Sequence, residues 1–290
     1  MRLIFKIFLL FYFPLFGLGG QFLVVPYDAK ELGLGSQPTI SGFSSLNPAL
    51  YSAKKENPSL NISQGNWIGG VSLSSADYSH HLKNKILYLG LRYSGLSDLE
   101  FRSNKPQNEP LAKFSSYGLS FKSGVAFNAK NIQYGLSLSY ISMGIYTENS
   151  HGFSLGLGSL VKLKNNWDIG ISVQGLGSMS PLLNDNPSIP QRFFIGVSKL
   201  NSIRFLDNSS FLSFELNNFN KKLNYLWNIG NKITWKQLEF FNGVSLGQNI
   251  NSYSMGLTLK GKNFDISYGI EIKPQNLGMP QIISLRLDLP

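Results

Sequence analysis

The sequence predicts an all-β protein, an up-and-down antiparallel transmembrane β-barrel of about fourteen strands. Three observations predict this fold class. Large apolar residues alternate with small or polar ones along most of the chain from Ser59 onward. The polar side of this alternation is rich in Gly and Ser and poor in long charged side chains. Aromatic residues fall near the predicted strand ends, where a membrane interface would place them: Trp67, Tyr88, Trp167, Trp227 and Trp235.

Composition excludes several classes of protein. The 290 residues are 42% hydrophobic and 14% charged, which is too apolar for a disordered chain. No apolar run of about 18 residues follows the N-terminus, so a helical membrane bundle is excluded. The absence of Cys excludes disulfide scaffolds, thiolate metal sites and cysteine nucleophiles. The formal charge is +10, but the lysines stand in ones and twos at turns, so we expect no nucleic-acid partner. Outer-membrane lipid is the expected environment, and an anionic lipid surface is a candidate partner.

Residues 1–20 have the pattern of a secretory signal peptide. Arg2 and Lys6 form its charged part, residues 7–16 its apolar part, and residues 17–19 a small-residue cleavage site. The apolar stretch is too short to span a bilayer. We therefore expect export, cleavage near Gly20, and a final location in the outer membrane of a Gram-negative-type bacterium.

Residues 21–57 form an N-terminal segment that precedes the barrel of residues 58–290. The segment lacks strand alternation, yet it is too long and too apolar for a free tail. A barrel of about fourteen strands leaves space in its lumen. We expect this segment to plug part of the lumen; the alternative is a flexible periplasmic lead-in.

The strands themselves follow from the period of two. Between Tyr117 and Phe127, for example, the large side chains share one face and Gly118, Ser120 and Lys122 share the other. Strands are predicted near residues 59–64, 67–77, 85–94, 114–127, 131–145, 150–163, 166–176, 191–200, 210–217, 222–230, 235–247, 252–261, 263–273 and 281–289. The same alternation would suit a soluble periplasmic binding barrel if the large side chains pointed inward. The long strands favour the membrane barrel instead, and the longest connections, 95–113 and 177–190, both fall on one side of it.

Charged residues on the polar face are the candidate functional residues of the barrel. They indicate a polar conduction path or ligand pocket, or else mutual pairing across the lumen, because confined charges are costly unless matched. These residues are Arg92, Lys122, Lys162, Asp168, Asp265, Glu271, Arg286 and Asp288.

No residue pattern indicates catalysis, a metal or a cofactor. Residues 152–156 match the Gly-x-Ser-x-Gly elbow of hydrolases, but they lie inside an alternating strand instead of a sharp strand-to-helix turn. His80 and His81 would point to opposite faces of an extended segment, which is poor geometry for joint metal ligation. We expect a protein that is not an enzyme and binds no cofactor.

A stretch before the barrel resembles the N-terminal signature of the PorV/PorQ family of outer-membrane barrels, which is related to FadL-type proteins. The matching residues are Ala29, Lys30, Leu32, Gly33 and Gly35, followed by Asn47, Pro48 and Ala49. The chain departs from the family pattern at Lys30, where an Arg is usual, and at Leu50, where a Gly often follows. The Leu50 variant is closer to the PorQ side of the family.

The resemblance implies a role in type IX protein secretion and cell-surface attachment, with other secretion-system proteins or secreted cargo as partners. The alternative is FadL-like passive uptake of hydrophobic small molecules through the barrel. A secretion partner needs protein-binding rims, whereas a transporter needs an apolar pocket and an axial or lateral exit. The residues do not distinguish these two functions.

Overall fold

The structure is a computed structural model that describes residues 20–39, 46–52, 57–82, 85–102, 108–183, 185–203, 205–220, 222–248, 251–274 and 278–290. Apart from Gly20, the predicted signal peptide lies outside the described residues. Within the described chain, no helix is long and apolar enough to cross a membrane.

The described residues form fourteen antiparallel strands that close into a barrel. Each strand pairs with its neighbours in the chain, and β14 closes the barrel by pairing with β1. This confirms the predicted fold class and strand number. The strands are β1 (Ser59–Asn66), β2 (Ser72–Leu82), β3 (Lys85–Phe101), β4 (Ala112–Ala129), β5 (Ile132–Ile145), β6 (Glu148–Lys162), β7 (Trp167–Met179), β8 (Gln191–Ile203), β9 (Leu206–Phe219), β10 (Lys222–Trp235), β11 (Leu238–Gly247), β12 (Asn251–Lys260), β13 (Phe264–Ile272) and β14 (Gln281–Asp288).

The alternation of the sequence becomes the two faces of the barrel wall. On β5, Leu136 and Leu138 are exposed on the outer surface at 44% and 46%, whereas Ser137 and Ser139 between and beside them are buried in the lumen. The same pattern recurs on the other strands, because successive side chains of a strand point to opposite faces. The large side chains therefore face lipid, which rules out the soluble barrel that would turn them inward.

Five aromatic residues were predicted to lie at the membrane interface, and this placement is correct for three of them and wrong for two. Trp167, Trp227 and Trp235 are exposed on the outer wall. Tyr88 instead points into the lumen with 1% exposure, and its hydroxyl donates to the Leu136 carbonyl at 3.2 Å. Its position in the register of β3 decides this, because it shares the inward face with other even-numbered residues. The prediction is also wrong for Trp67, because this residue packs with Val25 and Val71 against a buried cluster at the mouth of the barrel.

The two ends of the barrel differ in their connections. The end that we call the turn end carries the connections after the even-numbered strands, each two to four residues long. The opposite end, called the loop end, carries residues 102–111 and 180–190, the two longest connections. Their location on one side is as predicted. Short connections are typical of the periplasmic side of such barrels and long ones of the extracellular side.

A substitution pair on β12 tests the lipid-facing wall. In register, Trp227 lies level with Leu246 and Asn251, and Trp235 lies level with Leu238 and Leu259. Met255 is therefore midway between the two tryptophan levels, and its side chain is 50% exposed on the outer face. We expect Met255→Arg to destabilise the barrel by about 2–4 kcal/mol and Leu259→Arg, on the same face near the interface, by about 0–1 kcal/mol. Unfolding in urea from lipid vesicles measures both; equal penalties would contradict this placement in the bilayer.

Candidate functional site

The lumen is occupied by residues 20–39 and 46–52, which we call the inner segment. It follows the inner wall around the barrel. Its one α-helix, α1 (Ala29–Leu34), contacts β10 to β14, Pro38 reaches β7 and β8, and a 3₁₀ turn at Pro48–Ser52 contacts β3 to β6. The described part of the segment thus touches the wall on opposite sides of the barrel.

Local sequence explains the short helix. The Asp28 carboxylate caps its first turn by accepting hydrogen bonds from the backbone N–H groups of Lys30 and Glu31, at 2.8 and 3.3 Å. Gly35 ends it in the left-handed conformation with φ of 71°. Position 33 requires glycine for a different reason: the ring of Phe241 on the wall lies where a Cβ would stand. Gly33 and Gly35 therefore have separate structural roles.

Glycines on the inner face of the wall make room for the inner segment. At each of them a Cβ would lie between 2.0 and 2.7 Å from a backbone or side-chain atom of that segment, which no real Cβ could occupy. These glycines therefore reflect close approach of the inner segment to the wall, by its backbone at five of them and by a side chain at three. The glycines concerned are Gly118, Gly135, Gly158, Gly170, Gly196, Gly230, Gly243 and Gly269.

Serines on the same face satisfy the backbone of the inner segment. Ser254 donates to the Gly33 carbonyl at 3.0 Å, and Ser284 accepts from the Ala29 N–H at 2.9 Å. Ser172 donates to the Leu46 carbonyl at 2.5 Å, and Ser213 donates to Ser36. Because buried backbone groups are costly without partners, these contacts hold the inner segment in place.

The Asn-Pro-Ala motif is a buried joint between the inner segment and the wall. The Asn47 side-chain amide donates to the carbonyls of Pro38, at 3.1 Å, and of Ser159 on β6, at 3.0 Å. Its oxygen accepts from the Ala49 N–H at 3.0 Å, and both Asn47 and Ala49 are fully buried. Pro48 packs over Gly135 of β5. The motif thus has a clear structural role inside the barrel.

Three charged side chains lie close together at mid-height in the lumen. Asp77 and Lys122 flank Gly90 at the same level of the wall, and Arg92 stands two residues further along β3. The Arg92 guanidinium lies 5.1 Å from the centre of the Tyr27 ring of the inner segment. Burial raises the pKa of Tyr27 to about 12, so its phenol stays protonated and donates to the Phe22 carbonyl at 3.1 Å.

Three further ion pairs in the lumen involve wall residues outside the eight predicted charges. Arg192 and Glu215 pair at 2.7 Å across β8 and β9. The Glu239 carboxylate accepts from Lys30 of α1 at 2.7 Å and lies 2.6 Å from the Lys260 ammonium. Glu215 and Glu239 each stand between two large apolar residues, and Arg192 precedes one, so the alternation already indicated that these charges point inward.

The eight predicted charges all occupy inward-facing register positions, but they do not form one continuous path. Lys162 lies opposite Asp168 near the turn end, and Asp265 lies opposite Arg286. Other pairs form along a strand: the Arg286–Asp288 distance is 3.6 Å, and the Glu271–Lys273 distance at the loop end is 3.4 Å. Pairing thus occurs between neighbours on the wall.

The loop end of the lumen contains an apolar cluster. Phe22 of the inner segment is buried against side chains of β5, β7 and the connection before β8. Below the cluster, toward Arg92 and Lys122, the free space is ≈ 40 Å³, enough for a few water molecules. A second cavity of ≈ 210 Å³ lies beside α1 and is lined by Glu31, Trp67 and Glu215 among others. The cluster consists of Phe22, Leu23, Ile141, Met143, Met179, Leu182 and Ile189.

The wall is irregular next to this cluster. The pairing of β6 with β7 shifts register between Leu155 and Leu157, and Gly175 has φ of 77°. Strand β7 pairs with β8 only as far as Gln174, so residues 176–179 are paired with β6 on one side alone, and Gly175 lies in neither ladder. The carbonyl of Pro190 lies against Gly175 at this point.

The described residues contain no group of three or more His, Asp or Glu that could hold a metal ion. The Gly-x-Ser-x-Gly match of residues 152–156 lies within the extended backbone of β6, with Ser154 in the lumen.

No protein-family model and no curated protein sequence matches the chain. Solved structures share its fold. The toluene transporter TodX of Pseudomonas putida superposes with a TM-score of 0.65 at 12% identity, over 91% of this chain and 98% of that one. The TodX deltaS2S3 mutant, a monoaromatic hydrocarbon channel, gives a TM-score of 0.64 at 12% identity, over 91% and 99%. At this identity the likeness shows the fold alone.

A substitution at Asn47 tests the buried joint. Asn47→Asp removes the amide that donates to two carbonyl oxygens, and a carboxylate would repel both. We expect a loss of about 1–3 kcal/mol of stability for each carbonyl oxygen left without its donor. Asn263→Asp, at an exposed turn, is the matched control and should leave stability nearly unchanged. Chemical unfolding measures both, and equal effects would show that the joint does not stabilise the barrel.

Proposed function

We propose that this protein is a non-enzymatic outer-membrane channel for small, largely apolar molecules, and that the inner segment restricts the channel. The observation that carries this proposal is the apolar cluster inside the loop end of the barrel, next to the irregular wall at Gly175. The remaining inward positions of the described wall are mainly Gly, Ser or charged.

The apolar cluster suits the entry of an apolar solute. Its side chains come from the inner segment and the wall, and they meet at the end of the barrel that carries the longest connections. Transfer of apolar surface from water to such a site is favourable and requires no directional contact. A small hydrocarbon or the hydrophobic part of an amphiphile is therefore the expected occupant.

The irregular wall offers this solute an exit. Beyond the apolar cluster lie Arg92, Lys122 and the serines of the lumen, which an apolar solute would have to desolvate. Residues 175–179 lack a ladder with β8, and such backbone is tolerated at membrane depth only where protein or a cavity adjoins it. A lateral path between β7 and β8 toward the bilayer bypasses Arg92 and Lys122.

The inner segment has to shift before anything larger than water passes through the centre. The free space below the cluster is ≈ 40 Å³, and Phe22 and Leu23 of the segment line both regions. The fold of TodX, a toluene transporter, supports the same class of solute here.

The role in type IX secretion and surface attachment is a second candidate, favoured by the motif of residues 29–49. In the structure the described residues of this motif, 29–35 and 47–49, contact the lumen wall, which leaves the rims of the barrel to bind secretion-system proteins or cargo. Its test is a deletion strain: cargo that still reaches the cell surface in normal amount would refute it.

A charge placed in the apolar cluster tests uptake. Cells that lack their own hydrophobic channel and express the full-length protein should take up radiolabelled toluene or oleate faster than cells with empty vector. Ile189→Glu puts a carboxylate into the buried cluster and should remove most of this gain. Leu183→Glu, on the same connection and 70% exposed, should leave uptake unchanged. If uptake equals that of empty vector for both probes, the channel proposal fails.

Removal of the inner segment tests whether it restricts the lumen. Deletion of residues 22–50 should raise the conductance of the inserted barrel in planar bilayers, because the inner segment occupies the lumen. If the deleted chain does not insert, full-length Gly135→Val displaces Pro48 instead, and Ser123→Val on the outer face of β4 is its control. Unchanged conductance in the inserted variants would contradict the restriction.

A further inference from the structure

Three lysines at the turn end lie on the outer face of the barrel, each over an aromatic ring. In two pairs the residues stand directly opposite each other on neighbouring strands, and in the third they are consecutive. All three rings are exposed at the lipid-facing surface. The ammonium lies 5.4 Å from the ring centre for Lys85 and Phe127, 5.1 Å for Lys199 and Trp167, and 5.5 Å for Lys236 and Trp235.

Two of these lysine–aromatic pairs each stand at the end of an apolar groove on the outer wall. The first, with ≈ 400 Å³ of free space, begins at Ile169 and Val197, two residues along β7 and β8 from Trp167 and Lys199. Its floor continues over β9 and β10, with Leu212, Phe214 and Trp227.

The second groove has ≈ 380 Å³ of free space and begins at Ile233, two residues from Trp235. It continues across β11 to β13, and the Asn242 amide and the Tyr268 hydroxyl are its polar groups. Its apolar lining is formed by Ile233, Phe240, Met255, Leu257, Tyr268 and Ile270.

The short connections at the turn end are basic in sequence. Each of the six contains one basic residue and no acidic residue, whereas both of the longest connections of the loop end contain an acidic residue, Glu109 or Asp185. Anionic headgroups are attracted to such a cationic edge. The basic residues are Lys83, Lys130, Lys164, Arg204, Lys236 and Lys262.

We propose that each groove, together with the lysine at its turn end, binds one anionic phospholipid. The lysine ammonium pairs with the phosphate, the tryptophan lies at the level of the headgroup, and an acyl chain lies along the groove. An apolar groove alone would accept any hydrocarbon, and a lysine alone any anion. A lysine followed along the wall by an apolar groove matches the anionic headgroup and the acyl chain of a lipid that carries net negative charge.

Native mass spectrometry of the purified full-length barrel tests this proposal, with phosphatidylglycerol and phosphatidylcholine as probes. We expect two phosphatidylglycerol molecules to be retained in preference to phosphatidylcholine. Lys199→Gln and Lys236→Gln should each weaken retention of one phosphatidylglycerol about fivefold. Lys222→Gln, exposed at the loop end, is the matched control. Equal retention of the two lipids, or equal behaviour of the three variants, would overturn the proposal.

The groove and the headgroup are tested separately. Val197→Trp fills the first groove and leaves Lys199 in place, so it should cost one bound phosphatidylglycerol. Displacement of the lipid by an equal concentration of inorganic phosphate would indicate a simple anion site and overturn the proposal. Faster gel migration of unheated than of boiled samples verifies that every variant is a folded barrel.

Discussion

Close contact between the inner segment and the glycines of the wall is the constraint on which the lumen depends. A barrel of fourteen strands encloses more space than its own side chains fill. Backbone of the inner segment lies where the Cβ atoms of Gly135 or Gly269 would stand, and serines such as Ser254 and Ser284 satisfy its polar groups. The composition of the polar face therefore follows from the need to pack a second piece of backbone inside the barrel.

The charges of the lumen are arranged around this segment. Lys30 of α1 reaches Glu239 of the wall, Arg92 lies over Tyr27, and the wall supplies its own Arg192–Glu215 pair. A buried charge that loses its partner is strongly destabilising, so movement of the segment has an electrostatic cost besides the loss of packing. The apolar cluster around Phe22 has no such charge, so Phe22 and Leu23 are held there by apolar packing.

The barrel and its faces were predictable because alternation is a local property. A strand that places Leu136 in lipid must place Ser137 in the lumen, whichever strands lie beside it. The same alternation also places Arg192, Glu215 and Glu239 on the inward face, although they were not among the predicted charges. It also corrects Tyr88, whose inward position follows from its parity with Arg92, although its aromatic ring suggested the girdle.

The sequence by itself determined the strands, the inward set of residues and the existence of a non-barrel segment, since each depends on neighbours in the chain. The tertiary structure alone decided which inward residues meet. Asn47 joins Ser159 and Ala29 joins Ser284, contacts that span 112 and 255 residues of chain. Closure of β14 on β1 brings such distant residues together, and no local pattern contains that geometry. The two grooves on the outer wall have the same origin, because each is formed by side chains from four strands.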